Sequence, residues 1–173
     1  KLLAFEQRAM VKLPVKQKVA RCVEFLKRAG LVSDPPSCET APYVTQIVEA
    51  AGDRIKVAGD ILEFDDFFTL DAELPFDEQA FDKRIRSAAD TPVLLRKFRD
   101  VLATAEPFDA ARLEELLKAF LEREGIKIGQ IIHALRVAVT GKSVGFGVFE
   151  TLAILGRERC LARIDRALAR LDG

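Results

Sequence analysis

Apolar residues recur at helical spacing along most of this 173-residue chain, and this periodicity is what most limits its fold. A helix brings positions i, i+3, i+4 and i+7 to one face, whereas a half-buried strand requires strict alternation of apolar and polar residues. No segment of useful length alternates in that way. The sequence therefore predicts an all-α protein of short helices without an internal repeat.

Proline and glycine mark the limits of the first predicted helices. Pro14 suits the first turn of a basic amphipathic helix, and Gly30 stands where a C-terminal cap belongs. Upstream of it, Leu2, Leu3 and Phe5 are interpreted as the end of a helix that began before the present chain. Because the chain starts at Lys1 rather than a methionine, we expect it to be a piece of a longer protein.

A proline-rich loop over 33–42 comes next, since adjacent prolines forbid regular pairing. A helix is predicted over 43–51, and Gly52 with Asp53 interrupts it before a shorter helical run over 54–64. A connector follows over 70–76, with a boundary near Leu74 between two helical subdomains, 1–74 and 75–173. The second subdomain is expected to hold helices over 77–88, 92–105 and 109–124, with Asp109 as an N-cap and Gly125 as the terminator of the last.

The formal net charge is zero, but the charges are segregated. Residues 1–33 carry a net charge of +6, residues 34–82 carry −11, and residues 83–173 carry +5. Arg54 and Lys56 are the only cations of the acidic segment. This pattern is compatible with a local site for a polyanion and equally with ordinary solvated helix faces.

Cysteine usage and hydropathy restrict the class of protein. The three cysteines, Cys22, Cys38 and Cys160, have no metal-ligand spacing, which argues against a structural zinc and for a reducing compartment. No apolar run approaches the roughly 20 residues that a membrane span requires. We therefore expect a soluble, cytoplasmic protein with no membrane partner.

The stretch from Gly125 to Arg166 holds most of the candidate functional residues. A helix over 127–139 would place Ile128, Ile131, Ile132, Leu135 and Val139 on its core face. Gly129, His133, Arg136 and Thr140 fall on a second strip, predicted to be polar and accessible. His133, the only histidine, is then either a plain surface residue or a base contact, and Arg136 is either a salt-bridge partner or a guanidinium that binds a base edge.

A glycine-rich elbow over 141–147 follows this helix. It lacks both GxxxxGK[ST] and GxGxxG after a strand, so we reject nucleotide binding there. Exposed glycines with aromatic residues between them would suit a surface for unstacked bases, although Phe149 could equally belong to the core. In the last helix, Arg159, Arg163, Arg166 and Arg170 form a basic stripe that we expect to be solvated.

The run GIKIGQIIHALRVAVTGKSVGFGVFETLAILGRERCLARI resembles the C-terminal signature of bacterial glutamyl-tRNA synthetases. In that family the pattern is close to K-L-G-Q, P-L-R-x-A-L-T-G, G-L-F-E and L-G-K-E, followed by an arginine-bearing helix. The resemblance covers most of the chain and includes the AAGDRIKVAGDI segment. It implies the multihelical anticodon-binding domain of a class I aminoacyl-tRNA synthetase, with two helical subdomains, in a protein of translation.

The resemblance also implies functional residues. Carried over position by position, the anticodon contacts fall on Arg54, Lys118, His133, Arg136, Gly145, Val148 and Phe149. Three places depart from the common pattern: His133 stands where glutamine is frequent, Ala134 replaces a proline, and Gly145 with Phe146 replaces a Thr/Ser and Pro pair. The implied partner is a glutamate-accepting tRNA.

Arg54 is the position at which the family reads the third anticodon base. That base is C for glutamate and G for glutamine, and the donors of a guanidinium match the O2 and N3 acceptors of cytosine but not the donors of guanine. We expect the domain to favour the glutamate anticodon. The alternatives are a non-discriminating domain that also accepts glutamine tRNA, and a helical scaffold whose basic stripe binds an acidic protein.

The chain itself has no HIGH-like or KMSKS-like motif. No cofactor and no catalytic residue are therefore assigned to it. ATP and Mg would belong to the catalytic domain of the parent ligase, which is expected upstream of Lys1.

Overall fold

The computed structural model describes residue 10 and residues 12–172, and Leu2, Leu3 and Phe5, predicted to end a helix, lie outside them. Within the described residues every regular element is a helix, which confirms the all-α prediction. No described helix is long and apolar enough to cross a membrane. The chain divides into two compact units, Lys1–Thr69 and Leu70–Gly173, slightly upstream of the boundary proposed near Leu74.

The first unit packs two α-helices, α1 (Val15–Arg28) and α2 (Thr40–Ala51), against each other and α1 against a 3-10 segment, Ala58–Phe67. Their core holds Cys22, Leu26, Val44, Ile47 and Ile61, all of which are fully buried. Helix α2 begins earlier than the sequence predicted, because Pro42 lies in its first turn, where a missing N–H does no harm.

The predicted helix over 54–64 is wrong in its first half. Gly52, at a positive φ of 53°, ends α2, and Arg54 closes a single 3-10 turn. Ile55 is extended so that its side chain can be buried. The Asp60 carboxylate accepts hydrogen bonds from the backbone N–H groups of Lys56 and Val57 at 2.8 and 2.9 Å, so helical geometry resumes only at Ala58.

The second unit contains six α-helices among its described residues. The Asp77 carboxylate caps the first of these helices by accepting a hydrogen bond from the Ala80 backbone N–H. The Asp109 carboxylate caps the third by accepting from the Arg112 backbone N–H at 2.8 Å, and this second cap was predicted. Gly125, at φ 66°, ends the third, also as predicted. The helices are α3 (Glu78–Phe81), which continues into a π-helical turn Asp82–Arg86, α4 (Thr91–Ala103), α5 (Ala110–Glu124), α6 (Ile132–Thr140), α7 (Val148–Leu155) and α8 (Arg157–Asp172).

The basic stripe of α8 is only partly exposed, in contrast to the solvated stripe that the sequence predicted. Arg163 is completely buried; its guanidinium donates to the Asp71 carboxylate at 2.6 Å and to the Val139 carbonyl oxygen at 2.6 Å. Arg159 donates to the same carboxylate at 3.0 Å. Arg166 donates to the Leu74 carbonyl oxygen at 2.5 Å.

These arginines bind the connector of their own unit, and Arg170 joins them. It bonds Glu78 and lies over the rings of Phe76 and Phe81, 5.4 and 4.9 Å from their centroids. Each arginine of the stripe therefore has a partner within the unit.

Replacing Asp71 tests this arrangement. Asp71→Ala leaves the buried Arg163 guanidinium without its carboxylate, so we expect the second unit to lose about 3 kcal/mol of unfolding free energy. The exposed Glu73 of the same connector gives a matched control, and Glu73→Ala should change the unfolding free energy of the unit by less than about 0.5 kcal/mol. Hydrogen exchange followed on peptides of α8 measures this unit alone. Equal amide protection of α8 in the two variants would show that the pairing of Asp71 with Arg163 does not stabilise the unit.

Thiol reactivity tests the two cores. Burial raises the pKa of Cys22 to about 11, with a contribution from Asp60, and burial raises the pKa of Cys160 to about 12 against the opposing charges of Arg163 and Arg159. At pH 8 only about one Cys22 thiol in 1000 is ionised. Exposed Cys38 alone should react quickly with a disulfide reagent.

Denaturant should release the other two thiols, and Cys38→Ser should abolish the fast phase. A second fast-reacting thiol in the native protein would show that one of the cores is open.

Candidate nucleic-acid interface

The predicted core face of the helix over 127–139 is partly wrong. A 3-10 turn, Ile128–Gln130, precedes α6, and Ile131 separates the two. The Gln130 side-chain oxygen accepts from the Lys127 backbone N–H at 2.8 Å, which stabilises this separate turn. As a result Ile128 is half exposed, whereas Ile131 is fully buried.

The polar strip on the other side is accessible only at its start. Gly129 and His133 are exposed, and Arg136 is half-buried. Thr140 is buried, and its hydroxyl donates to the Arg136 carbonyl oxygen at 2.8 Å, in contrast to the accessible position that the sequence predicted. The strip therefore offers His133 and part of Arg136 to a ligand.

The elbow is packed rather than open. Gly141 ends α6 at φ 75°, and a Cβ there would lie 1.9 Å from the Pro75 carbonyl oxygen. The Asp77 backbone N–H donates to the Gly141 carbonyl oxygen at 2.8 Å, which fixes the approach. Phe146 is buried as well, so the prediction of an exposed glycine and an exposed aromatic ring is wrong at Gly141 and at Phe146.

Arg136 holds the elbow in place. Its Nη1 donates to the Phe146 carbonyl oxygen at 2.7 Å. A Cβ on Gly145 would lie 2.9 Å from the same Nη1 atom, so the small residue at 145 is what lets the guanidinium pass beneath the backbone. The structure thus brings Arg136, Gly145 and the elbow backbone together.

The remaining elbow residues differ in accessibility. Val148 is buried at the start of α7. Phe149 is half-buried, which matches neither a fully buried core residue nor a fully exposed surface residue. Sequence reasoning missed Val144, which is 74% exposed at the tip of the elbow. An apolar residue between serine and glycine in a turn was the available signal.

Lys118 lies on α5 and not in the elbow. It is exposed and pairs with Glu114 one turn earlier, at 2.7 Å. The hydrogen bond to Glu114 raises the pKa of Lys118 above its usual value. It can reach a ligand only by exchanging this partner, which is cheap because exposed helix pairs contribute little stability.

Arg54, in the first unit, is exposed at the end of its 3-10 turn. Among the residues that the structure describes, no hydrogen bond or ion pair joins its side chain to another group. An isolated cation among acids is usually a salt-bridge partner, and Arg54 is not one here. Its donors are therefore available to a ligand from outside.

A small cavity adjoins His133 within the second unit. It has a volume of about 200 Å³ and lies between the π-helical turn, the start of α4 and the start of α6. Sequence reasoning missed its cations, Lys83 and Arg84, although the run DKRIR is a visible cluster of positive charge.

A glycine substitution tests the role of Gly145. Gly145→Ala should displace the Arg136 guanidinium from the Phe146 carbonyl oxygen and lower the unfolding free energy by about 1 to 2 kcal/mol, because a half-buried donor and acceptor lose each other. Gly129→Ala is the matched control: nothing lies within 4 Å of its Cβ position, so we expect a change within about 0.5 kcal/mol. Urea unfolding measures both, and equal losses would exclude the Arg136 contact as the cause.

Comparison with known proteins agrees with the resemblance. Relatives that bear the name glutamate–tRNA ligase include one from Roseiflexus castenholzii, 38% identical over 91% of this chain, and one from Streptomyces coelicolor, 38% identical over 92%. The chain spans 31% of the length of each, so it corresponds to about a third of these relatives.

Solved structures share the fold. A glutamate tRNA ligase from Elizabethkingia meningosepticum matches 98% of this chain with a TM-score of 0.82 at 22% identity, and the chain covers 32% of it. A glutamate-tRNA synthetase from Elizabethkingia anophelis matches 96% with a TM-score of 0.77 at 20% identity, and the chain covers 31% of it. The family model described as "Anticodon binding domain" matches residues 17–168. The chain therefore belongs to the anticodon binding domain family.

Proposed function

We propose that this chain recognises the anticodon of a glutamate-accepting tRNA as the C-terminal part of a glutamate–tRNA ligase that works in the cytoplasm. The family and the names of the relatives support this assignment. The observation that carries the specificity is Arg54, an exposed guanidinium at a helix break with no partner among the described residues.

Arg54 would read the third anticodon base. Cytosine offers two acceptors on its Watson–Crick edge, O2 and N3, and the guanidinium supplies a fork of donors that can meet both. Guanine presents N1 and N2 donors at the same edge, so pairing it with Arg54 would leave donors facing donors. A site rejects the wrong base when its polar groups are left unsatisfied.

The strip and the elbow would bind the first two anticodon bases. His133 and the accessible part of Arg136 supply a ring and a guanidinium, both of which can stack on a base or bond its edge. Gly145 and Val148 act by shaping the elbow backbone. The half-buried Phe149 and the exposed Lys118 supply apolar and electrostatic contacts.

ATP and Mg would bind the catalytic domain of the parent ligase. The residues of the elbow do not fit a nucleotide phosphate, because the Pro75 carbonyl oxygen fills the space beside Gly141 and the Glu150 carboxylate fills the space beside Gly147. Neither group is therefore assigned to the elbow.

The two alternatives are less well supported. A protein-binding scaffold would need the basic stripe of α8, whose arginines bind the connector and Glu78 of α3 instead. A non-discriminating domain would need the third base to be read without preference, and Arg54 opposes this.

Binding to two RNA stem-loops tests the proposal. They differ only in C or G at the third anticodon base, and we expect the chain to bind the C form about tenfold more tightly, as one good bidentate contact allows. Arg54→Gln should reduce that preference to near unity. Lys56→Gln is the matched control, since it removes the same charge from an exposed residue two positions away and should keep the preference.

Two outcomes would overturn the proposal. Equal affinity of the unaltered chain for the C and G forms would favour the non-discriminating domain. A preference that survives in Arg54→Gln would assign recognition of the third base to another residue.

A further inference from the structure

Two cations without an ion pair among the described residues, Lys83 and Arg84, line the cavity beside His133. Its polar lining comes from the π-helical turn, the start of α4 and the start of α6. Its polar side chains are Lys83, Arg84, Asp90, Thr91, Gln130 and His133. We propose that this cavity binds a backbone phosphate of RNA, with Lys83 and Arg84 as the charged ligands; the proposal rests on the RNA-binding function above.

The π-helical turn places the two cations. The Ser87 backbone N–H donates to the Asp82 carbonyl oxygen five residues back, at 2.8 Å, and this bond defines the turn. Such turns are rare and occur frequently at functional sites. Here Lys83 and Arg84 are adjacent in sequence and line the same cavity.

The cations of this turn differ in what they bind. Arg86 forms an ion pair with Asp82 and lies 5.4 Å from the centroid of the Phe81 ring. Lys83 and Arg84 take part in no hydrogen bond or ion pair with any residue described by the structure. Two neighbouring cations without an acid repel each other, and an anion between them relieves that repulsion.

The opposite wall favours the same ligand. Helix α4 is 13 residues long and begins at Thr91, which lines the cavity, so the positive end of its dipole adds to the two cations. Asp90, at the N-cap, is an exposed carboxylate with the opposite effect and caps no backbone N–H with its side chain. The lining still carries two cations against one acid.

Size and position favour a phosphate of bound RNA. A cavity of about 200 Å³ holds a phosphate and part of its ribose, and the polar lining supplies mainly donors. His133 belongs both to this cavity and to the strip proposed to contact anticodon bases. A strand whose base meets α6 would therefore bring its backbone to Lys83 and Arg84.

Salt dependence tests the proposal on the whole 173-residue chain. For a single-stranded loop the slope of log K against log salt is about −0.7 for each phosphate contact, so Lys83→Gln with Arg84→Gln, which removes one such contact, should reduce its magnitude by about 0.7. Affinity should fall about tenfold for the C and G stem-loops alike, which leaves the C-over-G preference unchanged. Asp90→Asn should strengthen binding of both.

Arg86→Gln is the matched control. It removes the same charge from the same turn, but Arg86 is paired with Asp82 and does not line the cavity. Its slope should equal that of the unaltered chain. Lys83→Gln alone, at an exposed residue, should reduce the slope by less than the double variant does, because Arg84 keeps part of the contact, and it should have no effect on packing.

The ring protons of His133 report directly on binding at the cavity, because His133 is the only histidine of the sequence. Stem-loop RNA should shift their NMR resonances, and the double variant should need about tenfold more RNA to reach the same shift. Millimolar inorganic phosphate should produce a smaller shift at the same resonances.

Three results are decisive. If the slope of the double variant equals that of the unaltered chain while C-over-G preference persists, the phosphate site is wrong and the anticodon function stands. If the preference is absent, the anticodon function fails, and the slope still decides whether RNA phosphates bind here. If inorganic phosphate shifts the His133 resonances as strongly as RNA does, the cavity is a site for free anions and the proposal is overturned.

Discussion

One carboxylate, that of Asp71, holds the second unit together. It accepts hydrogen bonds from Arg159 and from the completely buried Arg163, and Arg163 also donates to the Val139 carbonyl oxygen near the end of α6. A buried guanidinium is tolerable only when its donors are met by acceptors of good geometry, because its desolvation costs several kcal/mol. The connector, the last helix and the end of α6 therefore have to come together. The elbow begins directly after that junction, where Gly141 lies against the Pro75 carbonyl oxygen.

This packing decides which groups of the elbow can meet a ligand. Phe146 and Thr140 face the interior, and the Arg136 guanidinium is drawn towards the Phe146 carbonyl oxygen. The surface that remains is a firmly held turn with Val144 at its tip and His133 at the start of α6. A turn held in this way has little conformational freedom to lose on binding, which favours affinity without further contacts.

Local signals in the sequence predicted most of the helices, and a long-range contact accounts for the error in the arginine stripe. Asp109 and Gly125 were predicted correctly because a cap and a left-handed terminator are decided by neighbouring residues. The prediction for the arginine stripe was wrong because the acceptor of Arg163 lies 92 residues away in the chain. Ile128 failed for a local reason, since a separate 3-10 turn breaks the helical period before Ile131. Thr140 continues the helix but is buried, and its hydroxyl donates to the Arg136 carbonyl oxygen. The family resemblance supplied Arg54, but only the structure could reveal that the acidic segment around it leaves its guanidinium unpaired.

The charge count of the sequence is therefore a poor guide to how the chain would bind RNA. Arg159 and Arg163 of α8 share the Asp71 carboxylate and Arg170 pairs with Glu78. Lys118 and Arg86 have acidic neighbours on the same helix or turn. Arg54, Lys83 and Arg84 are cations that the described structure leaves without such a partner. Affinity from phosphate contacts grows with the number of cations that can be committed to them, so the cations that are already paired add less than their charge suggests. Base edges and stacking supply the interactions that distinguish one anticodon from another.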